Sequence, residues 1–275
     1  MAKKKVVNLP EGDKEEHERR LAKSIPGIGS IGLKYKCKNK RQKELVNLIW
    51  EKDITIITGP AGTGKSYISL ACALDLLKTY PEEYKKLMLI YPTECDDEES
   101  LGYLPGNEID KISPYSVPDL YTIEKILNQS TGKEDGNKRV EEMVSKGIIE
   151  MHPTTYLRGL TIDNAIICLS EAQNLSENQV LKILTRIGTN AKTIISGDIF
   201  QCSAKSIKKG KNKSGLRYAI QVLSDLDEIG CIEFLPEDIF RNPLISKILM
   251  KWSPEEYGYL KDAPGVSDSG SGLGE

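Results

Sequence analysis

Between positions 34 and 258 the apolar residues fall into short runs that alternate between two periods. In Arg41–Lys52, Leu45, Leu48 and Ile49 share one face at helical spacing. Asp53–Thr58 is instead a nearly continuous apolar run, of the length and kind that suits a strand covered on both faces. The alternation continues with a helix over Lys65–Leu77, a strand over Lys86–Tyr91 ended by Pro92, a helix over Asp119–Gln129, and short strands at Ile148–Met151 and Ala165–Leu169. Ser176 and Gln179 form a capping-box pair that opens a helix at 177–187. A strand at Lys192–Ser196, a helix at Leu216–Leu226 and a strand at Ile232–Leu235 close the series. Strands separated by helices return in the same direction, so the pattern predicts an α/β fold with a parallel central sheet flanked by helices.

The ends differ from this middle. Residues 1–33 mix charge with Pro10, Pro26 and several glycines and read as a flexible charged arm. Residues 259–275 read as a flexible acidic tail, with Gly, Ser and Asp dominating from Asp262 onward. One domain over 34–258 is therefore expected, and a chain of 275 residues has room for one sizeable core. Hydrophobic residues make up 39% and charged residues 28%, a globular composition. A formal net charge of -2 argues against coating of nucleic acid by bulk charge and points any such partner to local basic patches. The six cysteines form no CxxC pair, so neither a zinc site nor a disulfide framework is expected. No apolar run approaches the roughly 18 residues of a membrane span, so the expected setting is cytoplasmic, with no membrane partner.

Chemistry enters where the strands end. Gly59, Pro60, Ala61, Gly62, Thr63, Gly64, Lys65 and Ser66 spell a complete P-loop between a strand and a helix, with Tyr67 next on that helix. The glycines let backbone N–H groups converge on phosphate oxygens, and the helix N-terminus adds its positive end. Lys65 is expected to reach the β- and γ-phosphates of ATP, and the Ser66 hydroxyl to hold Mg²⁺. A second apolar strand should deliver an acidic pair for metal and water. Ile166–Asn174 fits, except that Ser170 stands where aspartate is expected and Glu171 alone remains as candidate general base. A neutral serine reaches the metal only weakly, through water, so binding of ATP is the firmer expectation and hydrolysis the weaker one.

Taken together, NKRQKELV, GPAGTGKS, LGYLPG, YLRG, SEAQN, LTRIG, GDIFQ, SGL and IFRNPL resemble the PhoH family of P-loop ATPases, over roughly Lys38–Trp252. That family is similar to the first motor lobe of superfamily 1 helicases, which implies a RecA-like P-loop NTPase domain. The resemblance implies that Gln42 reads the adenine edge, that Gln201 reports the γ-phosphate, and that Arg241 contacts it. It implies a homo-oligomeric ring, hexameric by family resemblance, because one lobe alone leaves the nucleotide half covered. Arg158 and Arg186 are then the candidates to reach a neighbour's γ-phosphate, and pairing within their own subunit is the alternative for each.

The same resemblance points to single-stranded RNA or DNA, with Pro92-Thr93 as the contact segment. Two lysine clusters are further candidates: Lys34, Lys36, Lys38, Lys40 and Arg41, or Lys205, Lys208, Lys209, Lys211 and Lys213. Three positions depart from the family's usual pattern: Tyr91 stands for an arginine, Ser170 for an aspartate, and Cys202-Ser203 where an aspartate follows GDxxQ. Three readings stay open at this point: an ATP-hydrolysing, helicase-like ring protein, a nucleotide-gated assembly with negligible turnover, and a small-molecule kinase. The short arm leaves no room for a nuclease domain of the kind some relatives carry, so no intrinsic nuclease is expected.

Overall fold

The computed structural model describes residues 25–92, 108–157, 159–201 and 214–252, and only the backbone at 108–116 and 243. The chain runs α1 (Lys40–Glu51), β1 (Ile54–Thr58), α2 (Lys65–Thr79), β2 (Lys86–Tyr91), α3 (Glu108–Thr131), α4 (Gly136–Ser145) and β3 (Ile149–Pro153). There follow β4 (Ala165–Leu169), α5 (Glu177–Leu184), β5 (Ala191–Gly197), α6 (Gly215–Leu223), β6 (Ile229–Glu233) and α7 (Pro243–Trp252). Six strands make one sheet in the order β3-β2-β4-β5-β1-β6, and every neighbouring pair is parallel. This is the expected parallel sheet of a RecA-like P-loop NTPase domain.

The continuous apolar runs are explained by two cores, one on each face. Ile57, Leu87, Leu89, Ile166 and Ile194 meet Leu45 and Ile49 of α1, Ile68 and Leu74 of α2, Ile123 of α3 and Val140 of α4. Ile56, Ile90, Ile167, Leu169 and Ile195 point the other way, toward Val180 and Ile183 of α5 and Leu216 and Ala219 of α6. Successive strand side chains alternate faces, so a strand buried on both sides must be apolar throughout. Each such side chain taken from water contributes about 1.5–3 kcal/mol.

Four features differ from the sequence expectation. Residues 25–33 are not part of an arm. Ile28 is fully buried and Ile31 nearly so, Lys78 donates to the Ile31 carbonyl, and Arg139 donates to the Gly27 carbonyl at 3.2 Å. Ile25, Ile28 and Ile31 stand among Pro26 and three glycines, and that composition is why the segment reads as unstructured. Helix α3 begins eleven residues before the expected Asp119 and runs through Pro114 and Pro118, which read as breakers. Helices α4 and α7 lie outside the expected series: α4 is mostly polar and buries only Gly136, Val140 and Met143, at its start and one helical turn apart. Strand β6 sits three residues before the run Ile232–Leu235. Gly230 signals a break by composition, yet it is there for close packing, since a Cβ on it would meet Leu48 Cδ2 of α1 at 2.8 Å.

No helix among the described residues is long and apolar enough to cross a membrane. Nor do they contain a cluster of three or more His, Cys, Asp or Glu suited to a metal ion. Cys37, Cys72, Cys168 and Cys231 are free thiols.

Candidate nucleotide site

The parallel sheet aligns the carboxyl ends of β1, β4, β5 and β6 along one edge, where such folds bind ligands. β1 ends at Thr58 and the chain turns at once into the glycine loop. Gly59, Gly62 and Gly64 have φ of 130°, 88° and 88°, values that L side chains rarely adopt. Space forbids a side chain as well: a Cβ at Gly59 would lie 2.4 Å from the Phe234 carbonyl oxygen, and one at Gly64 would lie 2.7 Å from Gln42 Nε2. Thr63 is buried and donates its hydroxyl to the Pro60 carbonyl at 3.0 Å, bracing the loop from within. Gly64 is the N-cap of α2 and supplies no side-chain cap, so the first-turn N–H groups of α2 stay available for an anion.

Lys65 folds back on this loop and donates to the carbonyls of Gly59, at 2.6 Å, and Pro60, at 2.8 Å. Burial pushes its pKa down to about 8, against the opposing charges of Asp198 and Glu171. Ser66, next on α2, is exposed to the same cleft, and Ala61 is exposed at the loop's tip. Tyr67 donates to Gln129 Oε1 at 2.7 Å and ties α2 to α3.

The chain before α1 and the chain after β6 form one wall. Gln42 is buried, accepting the Lys38 N–H on Oε1 at 2.7 Å and donating Nε2 to the Thr63 carbonyl at 2.8 Å. Its amide therefore ties the P-loop to the segment that precedes α1. Asp238 joins the wall together: its carboxylate pairs with Arg41 Nε at 2.8 Å and accepts from Asn39 Nδ2 at 2.5 Å and from the Leu235 N–H at 2.8 Å. The following residues are pinned to the loop by Phe240 N–H donating to the Gly62 carbonyl at 3.1 Å, which leaves Arg241 exposed over Gly62.

The opposite wall holds the acidic groups. Glu171 follows β4 with φ of 57°, a strained conformation for a side-chain-bearing residue, and is exposed to the cleft. Its Oε2 accepts from Gln173 Nε2 at 2.7 Å. The buried Gln173 in turn accepts the Asp198 N–H on Oε1 at 3.1 Å, linking the ends of β4 and β5. Gly197 leaves the room for this link, since a Cβ there would meet Gln173 Oε1 at 2.4 Å. Gln201 donates its backbone N–H to the Asp198 carbonyl at 3.0 Å and exposes its side chain. Ser170 donates its hydroxyl at 3.0 Å to Asp119 Oδ2 of α3, which also accepts from Tyr91 Oη at 3.1 Å. Burial pushes the Asp119 carboxyl up, the two hydroxyl donors draw it back, and the charge of Glu171 adds to the rise. The cleft so formed has a volume of about 760 Å³ and is lined among others by Lys65, Ser66, Asp119, Glu171, Gln201 and Arg241.

Known proteins are similar to this chain in sequence and in fold. A family model described as PhoH-like protein matches residues 34–253. A PhoH-like protein of Bacillus subtilis (strain 168) is 36% identical over 249 residues, covering 90% of this chain and 71% of that one. The chain belongs to the PhoH family. Protein PhoH of Escherichia coli (strain K12) is 29% identical over 266 residues, covering 92% of this chain and 72% of its own. Among solved structures, the large terminase of bacteriophage HK97 aligns with a TM-score of 0.50 at 12% identity, over 90% of this chain and 53% of the terminase, a likeness of fold alone. At the family level, the chain is a P-loop nucleotide-binding protein of the ATPase kind.

Within this PhoH-family site, the structure gathers Gln42, residues 61–67, Glu171, Gln201 and Arg241 around one cleft, while Gly59 and Pro60 meet it through Lys65, which donates to their carbonyls. Arg186 lies elsewhere. Its carbonyl accepts the Ile162 N–H just before β4 begins, so it belongs to the amino-end edge of the sheet, and among the described residues its guanidinium reaches Thr185 Oγ1 at 3.5 Å. Arg158, Thr93, the LGYLPG segment, Cys202-Ser203 and the lysines from 205 to 213 lie outside the described residues. Pro92 is buried at the end of β2. In the other basic cluster, Arg41 is held by Asp238, Lys40 lies 3.6 Å from Glu44, and Lys36 and Lys38 line the nucleotide cleft itself.

Two residues of the site escape sequence reasoning. Gln173 is visible there only as the middle of AQN, and its role depends on Gly197 of another strand. Asp119 carries no signal beyond its charge.

Proposed function

We propose that this chain binds ATP with Mg²⁺ and hydrolyses it, and that a homo-oligomeric ring of copies couples nucleotide state to single-stranded RNA or DNA. The observation that carries the reading is the Glu171–Gln173–Asp198 link, which holds a carboxylate at the cleft that also contains Lys65 and the glycine loop. Such a carboxylate is suited to accept a proton from a water attacking the γ-phosphate, giving ADP and inorganic phosphate.

The residues fit both ligands. The three positive-φ glycines shape a tight loop in which a Cβ at Gly59 or Gly64 would strike Phe234 or Gln42, and the N-terminus of α2 that follows it has no side-chain cap. The exposed Ser66 hydroxyl would hold Mg²⁺, which when bound offsets phosphate charge and polarises the γ-phosphoryl group. Lys65 is placed to exchange its two carbonyl partners for phosphate oxygens. Arg241 and Gln201 project from two other strand ends into the same space and suit the terminal phosphate. Lys36 and Lys38 alternate outward on an extended segment whose Tyr35 and Cys37 turn inward, and cations at that spacing suit a further anion such as a nucleic-acid backbone.

Ring formation is supported by the openness of the cleft and by Arg186, whose place at the sheet's far edge makes a role within its own subunit's cleft unfavourable. A second reading, a nucleotide-gated assembly with negligible turnover, is favoured by one observation, the neutral Ser170 at the end of β4. Sedimentation of the protein with and without ATP, paired with phosphate release with and without single-stranded RNA, separates the two. RNA-stimulated release by an assembled species supports the motor reading. ATP-dependent assembly without release supports the gate, and release from a monomer indifferent to RNA or DNA contradicts both.

A further inference from the structure

P-loop NTPases place an aspartate at the end of the strand that follows the apolar run, where its charge offsets that of the divalent cation. Here β4 ends at Leu169 and the next side chain is Ser170. We propose that Asp119, delivered by α3, supplies this missing charge, acting on the nucleotide's cation through the Ser170 hydroxyl. The inference deepens the nucleotide-binding reading above and rests on it.

Three observations support it. Asp119 is 7% exposed, and its Oδ2 receives the hydroxyls of Ser170 at 3.0 Å and Tyr91 at 3.1 Å. Those donors stand at the ends of β4 and β2, which are neighbours in the sheet, so the carboxylate lies across the same edge as the P-loop. Secondly, the charge has no counterpart: no Lys, Arg or His among the described residues forms an ion pair with Asp119, and none donates to Oδ1. A buried carboxylate without a cation costs several kcal/mol. Two neutral hydroxyls draw the carboxyl back toward its charged form against the effect of burial, and a divalent cation would favour that form further. Thirdly, Asp119 lines the cleft that holds Lys65 and Ser66.

Ser170 is thereby more than a lost aspartate. Its proton is committed to Asp119, so its oxygen is left to accept or to coordinate, and hydrogen bonding to a carboxylate makes that oxygen more electron-rich. Tyr91 fixes the same carboxylate oxygen from β2. The two unusual residues at positions 91 and 170 thus become one device, built around an acid 51 residues away from Ser170 in sequence. Oxygen donors of this kind select a hard divalent cation such as Mg²⁺ or Mn²⁺.

The test uses Mn²⁺ as the probe, its binding followed by electron paramagnetic resonance on the full chain saturated with a non-hydrolysable ATP analogue. Nucleotide affinity in EDTA is measured on the same samples. For Asp119→Asn the Mn²⁺ affinity is expected to fall roughly 10- to 100-fold, as when a group supporting a metal ligand is removed. The double variant Asp119→Asn/Ser170→Asp should recover it. Wild-type Mn²⁺ affinity in Asp119→Asn overturns the proposal. Should Asp119→Asn fail to fold, Ser170→Ala decides between the same two outcomes, because it cuts the link while leaving the buried acid with Tyr91: a loss of Mn²⁺ affinity supports the proposal and wild-type affinity overturns it. If the wild-type chain binds no nucleotide in EDTA or with Mn²⁺, the nucleotide reading itself fails and takes this inference with it.

Discussion

The Gln173 side-chain amide donates to Glu171 Oε2 at 2.7 Å from a buried position, while Glu171 itself is exposed to the cleft. An exposed glutamate samples many rotamers, and a buried partner restricts it to one region. Gln173→Met keeps the length of the side chain and removes the link. We expect kcat to fall by about 100-fold with KM for ATP little changed, the pattern of a lost orientation and not of lost binding. Rates normalised to nucleotide-binding sites distinguish this from a loss of folded protein.

Lys65 gives a pH dependence whose sign follows from its surroundings. Without nucleotide, burial holds its pKa down to about 8. The phosphates of ATP favour the charged form, so binding raises that pKa and the complex holds more protons than the free protein. Affinity for ATP is therefore level below pH 8 and falls as pH rises from there toward the pKa of the complex. Calorimetry at pH 8.5 in two buffers of different ionisation enthalpy should show net proton uptake, and equal heats in the two buffers would contradict it.

Lys192 makes a structural prediction. It is a buried lysine on β5 whose Nζ donates to the carbonyls of Ile49 at 2.8 Å, Trp50 at 3.3 Å and Lys52 at 2.5 Å, closing the last turn of α1. Helix carbonyls at that end have no partners within the helix, and a cation suits the negative end of the helix dipole. Lys192→Met should lower unfolding stability by about 2–3 kcal/mol, the range of a lost charge-assisted hydrogen bond that leaves buried acceptors unpaired. Urea denaturation measures it.

The legible parts of the fold and site are those encoded locally. The P-loop is a contiguous string whose chemistry dictates its shape, and the flanking runs 53–58 and 65–77 have the right periods for a strand and a helix. Glu171 is readable because it sits two residues beyond an apolar strand. What escapes depends on distant contacts. Gly230 reads as a break because the approach of Leu48 is visible only in three dimensions. Pro114 and Pro118 hide the first half of α3, and with it the helical position of Asp119. Ser170 reads as a defect because its partner lies on that helix. The adenine-reading role suggested for Gln42 gives no sign that its amide joins the Lys38 N–H to the Thr63 carbonyl of the P-loop.

Turnover of ATP at the cleft of Lys65 and Glu171 is tested most directly by steady-state phosphate release with Mg²⁺, on the wild-type chain and on Lys65→Ala and Glu171→Gln. The expected result is release by the wild type that Glu171→Gln lowers by roughly 10²- to 10⁴-fold, the usual contribution of a general base, and that Lys65→Ala abolishes. Equal release by all three proteins would place any hydrolysis outside this cleft and contradict the assignment.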